Sequence, residues 1–145
     1  MENPESANPI RNVSDTALWV AVDRAMESER KDALFHDPFA RRLAGERGQA
    51  IVDAMPRGKE LAWAMIVRTA VMDELILQCI RDGATSLLNL AAGLDTRAYR
   101  LDLPASLHWY HVDFPPMVEY VKDKLTGEKP RCALEYVAAD LREPE

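Results

Sequence analysis

The segment Ser86-Leu87-Leu88-Asn89-Leu90-Ala91-Ala92 is a short apolar run that breaks at one glycine, Gly93, and then turns to charge at Asp95, Arg97 and Arg100. So short and so apolar a run is what a strand covered on both faces of a parallel sheet requires. The pattern continues in the same sense downstream. His108–Asp113 reads as a second strand, rich in aromatics and ending in a carboxylate. Pro115 or Pro116 opens a helix through Met117, Val118, Tyr120, Val121 and Leu125, closed by Gly127. Leu134–Asp140 reads as a third strand, again ending in a carboxylate. Strand, crossover, strand, helix, strand is the mononucleotide-binding half of a doubly wound sheet, with right-handed crossovers.

Upstream of Gly83 the spacing is helical. A first helix is expected from Asp15 to about Arg30, capped by Ser14 or Asp15. A second is signalled by His36-Asp37-Pro38, with Asp37 as cap and Pro38 in the first helical position, and should stop near Gly45. Arg57 or Gly58 opens a long third helix, ended by Gly83. Along it Leu61, Ala64, Met65, Val71, Leu75 and Cys79 recur at three- and four-residue spacing, the mark of a core-facing stripe. The fold class is therefore α/β: N-terminal helices followed by three parallel strands, the first half of a doubly wound, Rossmann-like sheet.

A chain of 145 residues fits one domain with a real core. Residues 1–13, polar and proline-bearing, are expected to be a mobile leader without a secretory signal, and residues 14–145 the N-terminal part of one domain that stops early. The first strand would then be an uncovered edge, inviting self-association or a covering partner. Cys79 and Cys132, far apart in apolar patterns, are expected to be buried reduced thiols in a cytoplasmic protein; no metal-ligand grouping accompanies them. No apolar run approaches membrane-spanning length. A net charge of -6 argues against a nucleic-acid partner, and the basic cluster Arg41, Arg42 and Arg47 reads as a solvated helix face offset by Asp37 and Glu46.

Ligands of open α/β sheets bind beyond the carboxyl ends of the strands, where this chain offers Gly93, Asp113 and Asp140. Asp113 follows Gly93 by 20 residues, the spacing that puts a carboxylate on the ribose hydroxyls of an adenosine cofactor. Capping of the helix at Pro115 is the structural alternative for the same side chain. Asp140 is placed to accept from an adenine amino group, with Leu141 and Phe114 as apolar cover for the ring. A dinucleotide needs a GxGxxG turn for its pyrophosphate. Here Ala91-Ala92-Gly93-Leu94-Asp95-Thr96 supplies one glycine and a carboxylate, which favours S-adenosyl-L-methionine, a cofactor without phosphate, over a nicotinamide dinucleotide. Asp95 either balances the ligand's positive end or caps the turn. Arg68, in an apolar stretch of the third helix, either snorkels to water or pairs.

The segments NLAAGLDTRAYRL, WYHVDFPPMVEYVKDKL and YVAADLRE, with SDTALWVAVDRAMESER and LFHDPFARRLAG upstream, resemble the class I S-adenosylmethionine-dependent methyltransferases related to leucine carboxyl methyltransferase, including bacterial O-methyltransferases of polyketide pathways. The match covers nearly all of residues 14 to 143. The resemblance implies a Rossmann-like methyltransferase sheet with Arg68 on the methionine carboxylate, Gly93 at the cofactor backbone, Asp113 on the ribose, and Asp140 with Leu141 at the adenine. It also makes Arg24 a weaker candidate for a second cation. Ala91 stands where many relatives carry glycine, in a turn that can still close on Gly93. Relatives continue for about as many residues again, with further strands and much of the substrate pocket. The function implied is methyl transfer to a carboxylate or hydroxyl oxygen of a small molecule; the alternative is a non-catalytic cofactor-binding or interaction fragment. No catalytic residue is nominated. An ionised carboxylate acceptor needs no base; a phenol or alcohol would need one, and of the three histidines, His36, His108 and His111, the two on the second strand read as packing residues.

Overall fold

The computed structural model describes residues 12–143. The expected leader lies outside them, except that Asn12 caps the first helix and Val13 begins it. α1 spans Val13–Ser28, and its cap is Asn12 rather than Ser14 or Asp15: the Asn12 side-chain oxygen accepts the Asp15 N–H at 3.0 Å. The Asp15 carboxylate instead receives Arg47 Nη2 at 2.8 Å, an ion pair that ties α1 to the next helix.

α2 spans Ala40–Ala54 with Phe39 at its N-cap, so Pro38 lies before the helix rather than in its first turn. Asp37 still folds back on the chain, its Oδ1 accepting the Phe39 N–H at 3.0 Å. The helix does not stop at Gly45. The backbone leaves helical geometry there, at φ 58° and ψ -171°, and then re-enters it. Glycine makes that excursion without a Cβ clash. Burial of Leu43, Ala44, Gly48, Ile51 and Val52 carries the helix through the kink.

α3 spans Gly58–Arg81 and ends at Gly83, whose φ is +105°, in agreement with the expected left-handed stop. Its orientation corrects the sequence reading. The faces buried are those of Ala62, Thr69 and Asp73, while Leu61, Val71 and Leu75 of the expected core stripe are exposed, as is Cys79. Cys132 is buried as expected.

β1 (Ser86–Leu90), a short α4 (Arg97–Arg100), β2 (His108–Asp113), α5 (Pro115–Lys124) and β3 (Ala133–Ala138) complete the order. The strands form one parallel sheet in the order β1-β2-β3. β3 ends two residues before Asp140, so that carboxylate sits in the following loop rather than on the strand. Leu90 pairs with Val112, and Asp113 with Ala138, which brings the carboxyl ends of all three strands level. The middle strand is the best covered: Trp109 is fully buried among Leu94, Leu101, Leu103, Leu107, Val121 and Leu125. β1 is not covered on both faces. Leu87 packs against the core, whereas Leu88 and Leu90 on the opposite face are 62% and 52% exposed. Among the described residues β1 pairs on one side only, with β2. No helix of the described residues is long and apolar enough to cross a membrane.

Candidate functional site

Beyond the level strand ends lies a cleft of about 560 Å³, walled by Trp19 and Arg24 of α1, Arg68 of α3, Ala91 and Gly93 after β1, and Asp113 at the end of β2. Two residues of the turn have left-handed backbones, Gly93 at φ +56° and Ala91 at φ +50°. A Cβ built on Gly93 would touch only Ala17 Cβ at 3.5 Å, so its open side leaves room for a close ligand, while its φ reserves the position for glycine. Ala91 adopts the same region with a side chain, at a cost of about 1–2 kcal/mol.

Asp113 is oriented by the turn it faces. Its Oδ2 accepts the Gly93 N–H at 2.6 Å and its Oδ1 accepts the Phe114 N–H at 2.7 Å. The carboxylate therefore closes the β1 turn onto β2 rather than capping α5, whose N-cap Phe114 makes no side-chain bond. Each oxygen keeps a lone pair for a further donor. Sequence spacing placed Asp113 near Gly93; the direct bond between them is a finding of the structure.

The charges after Gly93, which also line the cleft, form a clamp. Asp95 Oδ1 accepts the Arg97 N–H at 2.8 Å, and its Oδ2 accepts Arg97 Nη1 at 2.7 Å and Asn89 Nδ2 at 2.9 Å. Burial opposes its ionisation, yet the Arg97 guanidinium and N–H hold the carboxyl below the ordinary range. The turn-capping reading of Asp95 is present in the structure, and the side chain also lines the cleft. Arg97 Nε also donates to Asp73 Oδ1 at 2.6 Å, and Arg24 Nε and Thr96 Oγ1 donate to Asp37 Oδ2 at 2.9 and 2.7 Å. Asp73 and Asp37 were missed as parts of this network, since their partners lie 13 to 59 residues away. Arg24, the weaker cation candidate, is committed here, its Nη2 donating to the Leu94 carbonyl at 2.6 Å. The basic cluster of α2 also has partners other than those expected: Arg41 meets Glu29 and Arg42 meets Glu128.

Arg68 lies on the cleft wall, exposed, and its guanidinium has no hydrogen bond or ion pair among the described residues. His111 is buried and donates Nε2–H to the Gly93 carbonyl at 3.2 Å, and burial pushes its pKa below the ordinary value. It supports the turn, as the packing reading expected. His108 is exposed. Phe114 lines the cleft, but Asp140 and Leu141 do not. Asp140 is bound instead by Arg142, whose guanidinium carbon lies 5.1 Å from the Phe114 ring centroid. No group of three or more His, Cys, Asp or Glu placed to hold a metal ion occurs among the described residues.

The family model described as Leucine carboxyl methyltransferase matches residues 17–145. The chain belongs to the leucine carboxyl methyltransferase family. Among its relatives, a Mycobacteroides abscessus protein named "Putative S-adenosyl-L-methionine-dependent methyltransferase" is 35% identical over 150 residues, covering 96% of this chain and 48% of the relative. Similarly named proteins of Streptomyces coelicolor and Frankia alni are 36% and 34% identical, each covering 88% of this chain and 49% of the relative. The chain thus spans about half the length of the curated relatives it matches. The left-handed turn, the carboxylate at the end of β2 and the unpaired arginine on α3 are its geometry at the positions that the family resemblance singles out.

Proposed function

We propose that this chain holds S-adenosyl-L-methionine in the cleft beyond β1 and β2, as the N-terminal, cofactor-binding part of an O-methyltransferase domain over residues 14–145. The acceptor is a carboxylate or hydroxyl oxygen of a small molecule. The observation that carries the reading is the 2.6 Å bond from the Gly93 N–H to Asp113, which sets a glycine backbone and a carboxylate side by side on one wall of an open cleft.

The residues present suit that cofactor. The open side of Gly93 admits close backbone approach, and Ala91 shares the turn. The Asp113 carboxylate, fixed by two N–H donors, offers its remaining lone pairs to a pair of ribose hydroxyls. The unpaired Arg68 guanidinium meets the amino-acid carboxylate. Phe114 lies on the cleft wall for the adenine ring, while Asp140 and Leu141, in the loop just outside the cleft lining, are the amino-group acceptor and further cover proposed for it. When bound, the cofactor supplies a methyl group on a positively charged sulfur, open to in-line displacement. The chain's own task is to orient that group and exclude water, for which Trp19, Met65 and Met72 give the cleft an apolar wall. His111, buried and bound to the Gly93 carbonyl, holds the turn rather than serving as a base. A cytoplasmic location belongs to the same reading.

The test is a calorimetric titration with S-adenosyl-L-methionine, wild type beside Asp113→Ala, followed by a screen of carboxylate and phenol acceptors. Binding that the variant loses supports the reading, and no binding at millimolar cofactor overturns it.

A second reading has its own observation. Leu61, Val71 and Leu75 of α3 lie exposed, as do Leu88 and Leu90 of β1, one edge of which is unpaired among the described residues. Exposed apolar surface next to an open strand edge favours association, so the alternative is an interaction fragment that self-associates through β1. Light scattering tests it: a monomer at all concentrations overturns self-association, and an oligomer dispersed by Leu88→Lys supports it.

A further inference from the structure

Phe114, on the cleft wall, carries against its ring a side chain that the proposed transfer does not use. Arg142 binds Asp140 three times: its backbone N–H donates to Oδ1 at 3.0 Å, Nε to Oδ1 at 2.9 Å and Nη2 to Oδ2 at 2.6 Å. The same guanidinium lies over the Phe114 ring, 5.1 Å from its centroid, within the range of a cation–π contact. A ring face and a carboxylate acceptor are the two features of an adenine seat, and one cation engages both. Phe114 lines the cleft while Asp140 and Leu141 stand outside it, and Arg142 touches both sides of that division.

The chemistry of the contact resembles that of a bound purine. A guanidinium is planar, stacks on aromatic faces and carries N–H donors in its own plane. Adenine offers the same combination, a flat ring with an exocyclic amino donor. The Arg142 side chain is 79% exposed, so its ion pair is of the kind that contributes little to stability and yields readily to a competitor.

We propose that Arg142 is an internal stand-in for adenine, a latch that closes the adenine end of the cleft and must swing away when an adenosine-bearing ligand enters. The proposal rests on the cofactor reading above and adds a competitor to it. Closure lowers apparent affinity by the fraction of molecules in which the latch is open. It acts on the adenosine part of a ligand and leaves the amino-acid part untouched. Salt screens the exposed pair, so ionic strength opens the latch.

The experiment titrates the full chain, wild type and Arg142→Ala, with adenosine, S-adenosylhomocysteine and L-methionine at low and high sodium chloride. Adenosine is uncharged, so its salt dependence isolates the latch from the Arg68 contact. The expected result is about two- to fivefold tighter adenosine and S-adenosylhomocysteine binding in the variant, with methionine unchanged. Adenosine affinity should rise with salt in the wild type and stay flat in the variant. Unchanged or weaker adenosine binding in Arg142→Ala, with a wild type that binds, overturns the latch and leaves the cofactor reading standing. A chain that takes neither adenosine nor S-adenosylhomocysteine in either form overturns both.

Discussion

Asp73 on α3 and Arg100 at the end of α4 are joined by two parallel hydrogen bonds, Nη1 to Oδ2 at 2.7 Å and Nη2 to Oδ1 at 2.8 Å. The same carboxylate takes Arg97 Nε at 2.6 Å, so a single acidic side chain of the long helix receives three donors from the segment after Gly93. From the opposite side Asp37 receives Thr96 and Arg24. The turn that carries Gly93 and Asp95 is thereby anchored to α3 and to the α1–α2 connection at once. Its backbone is fixed before any ligand arrives, which is the condition for a binding wall that need not reorganise.

Removing Asp73 tests that anchoring. Its side chain is 11% exposed and those of Arg97 and Arg100 are 16% and 4%, so Asp73→Ala leaves two mostly buried cations short of an acceptor. The expected cost is about 3–5 kcal/mol in urea denaturation. A loss under about 1 kcal/mol would show that the turn holds without this clamp.

Ala91 gives a prediction of opposite sign. Its φ of +50° strains any residue with a Cβ, and it is exposed on the cleft wall, so its side chain packs little. Ala91→Gly relieves about 1–2 kcal/mol of strain and returns part of it as chain entropy in the unfolded state. A gain of about 0.5–1 kcal/mol in denaturation midpoint analysis is expected. Destabilisation by the glycine would mean that the turn is not strained.

Asp23 of α1 makes stability depend on pH. It is fully buried, neither carboxylate oxygen has a partner among the described residues, and burial raises its pKa from 3.8 to about 7 against the pull of Arg24. The folded state keeps the proton up to about pH 7, whereas the unfolded chain releases it near 3.8. The folded state therefore binds more protons across that window, and this group's contribution declines as pH rises through it. Asp23→Asn should match the wild type at pH 5 to within about 1 kcal/mol and exceed it by about 2 kcal/mol at pH 8. Thermal melts at the two pH values check this; an equal effect at both would contradict it.

What was legible in the sequence follows from what local pattern encodes. β2 and α5 came out nearly residue for residue, because His108–Asp113 is rich in aromatics and ends in a carboxylate, and Pro115 and Gly127 bracket the helix that follows. The strand-end positions of Gly93 and Asp113 were legible because level strand ends follow from parallel topology. The α3 stripe was not, since periodicity identifies an apolar face without saying what covers it: Leu61, Val71 and Leu75 are exposed and Asp73 is turned inward. Asp37 read as a cap because its local bond to Phe39 is encoded nearby, while its bonds to Arg24 and Thr96 depend on how α1 and α4 meet. Asp140 was found by its place after β3, but its capture by Arg142 is a side-chain choice that no spacing reveals.

Arg68 separates the two ends of the proposed ligand, and being exposed and without a partner among the described residues it can be removed without disturbing the fold. The decisive measurement is calorimetric titration of S-adenosylhomocysteine and adenosine into wild type, Arg68→Ala and Asp113→Ala. A charge-assisted contact to the ligand carboxylate predicts that Arg68→Ala weakens S-adenosylhomocysteine about tenfold or more and leaves adenosine unchanged, while Asp113→Ala loses both. S-adenosylhomocysteine binding that is indifferent to both substitutions would contradict a cofactor site at Gly93 and Asp113.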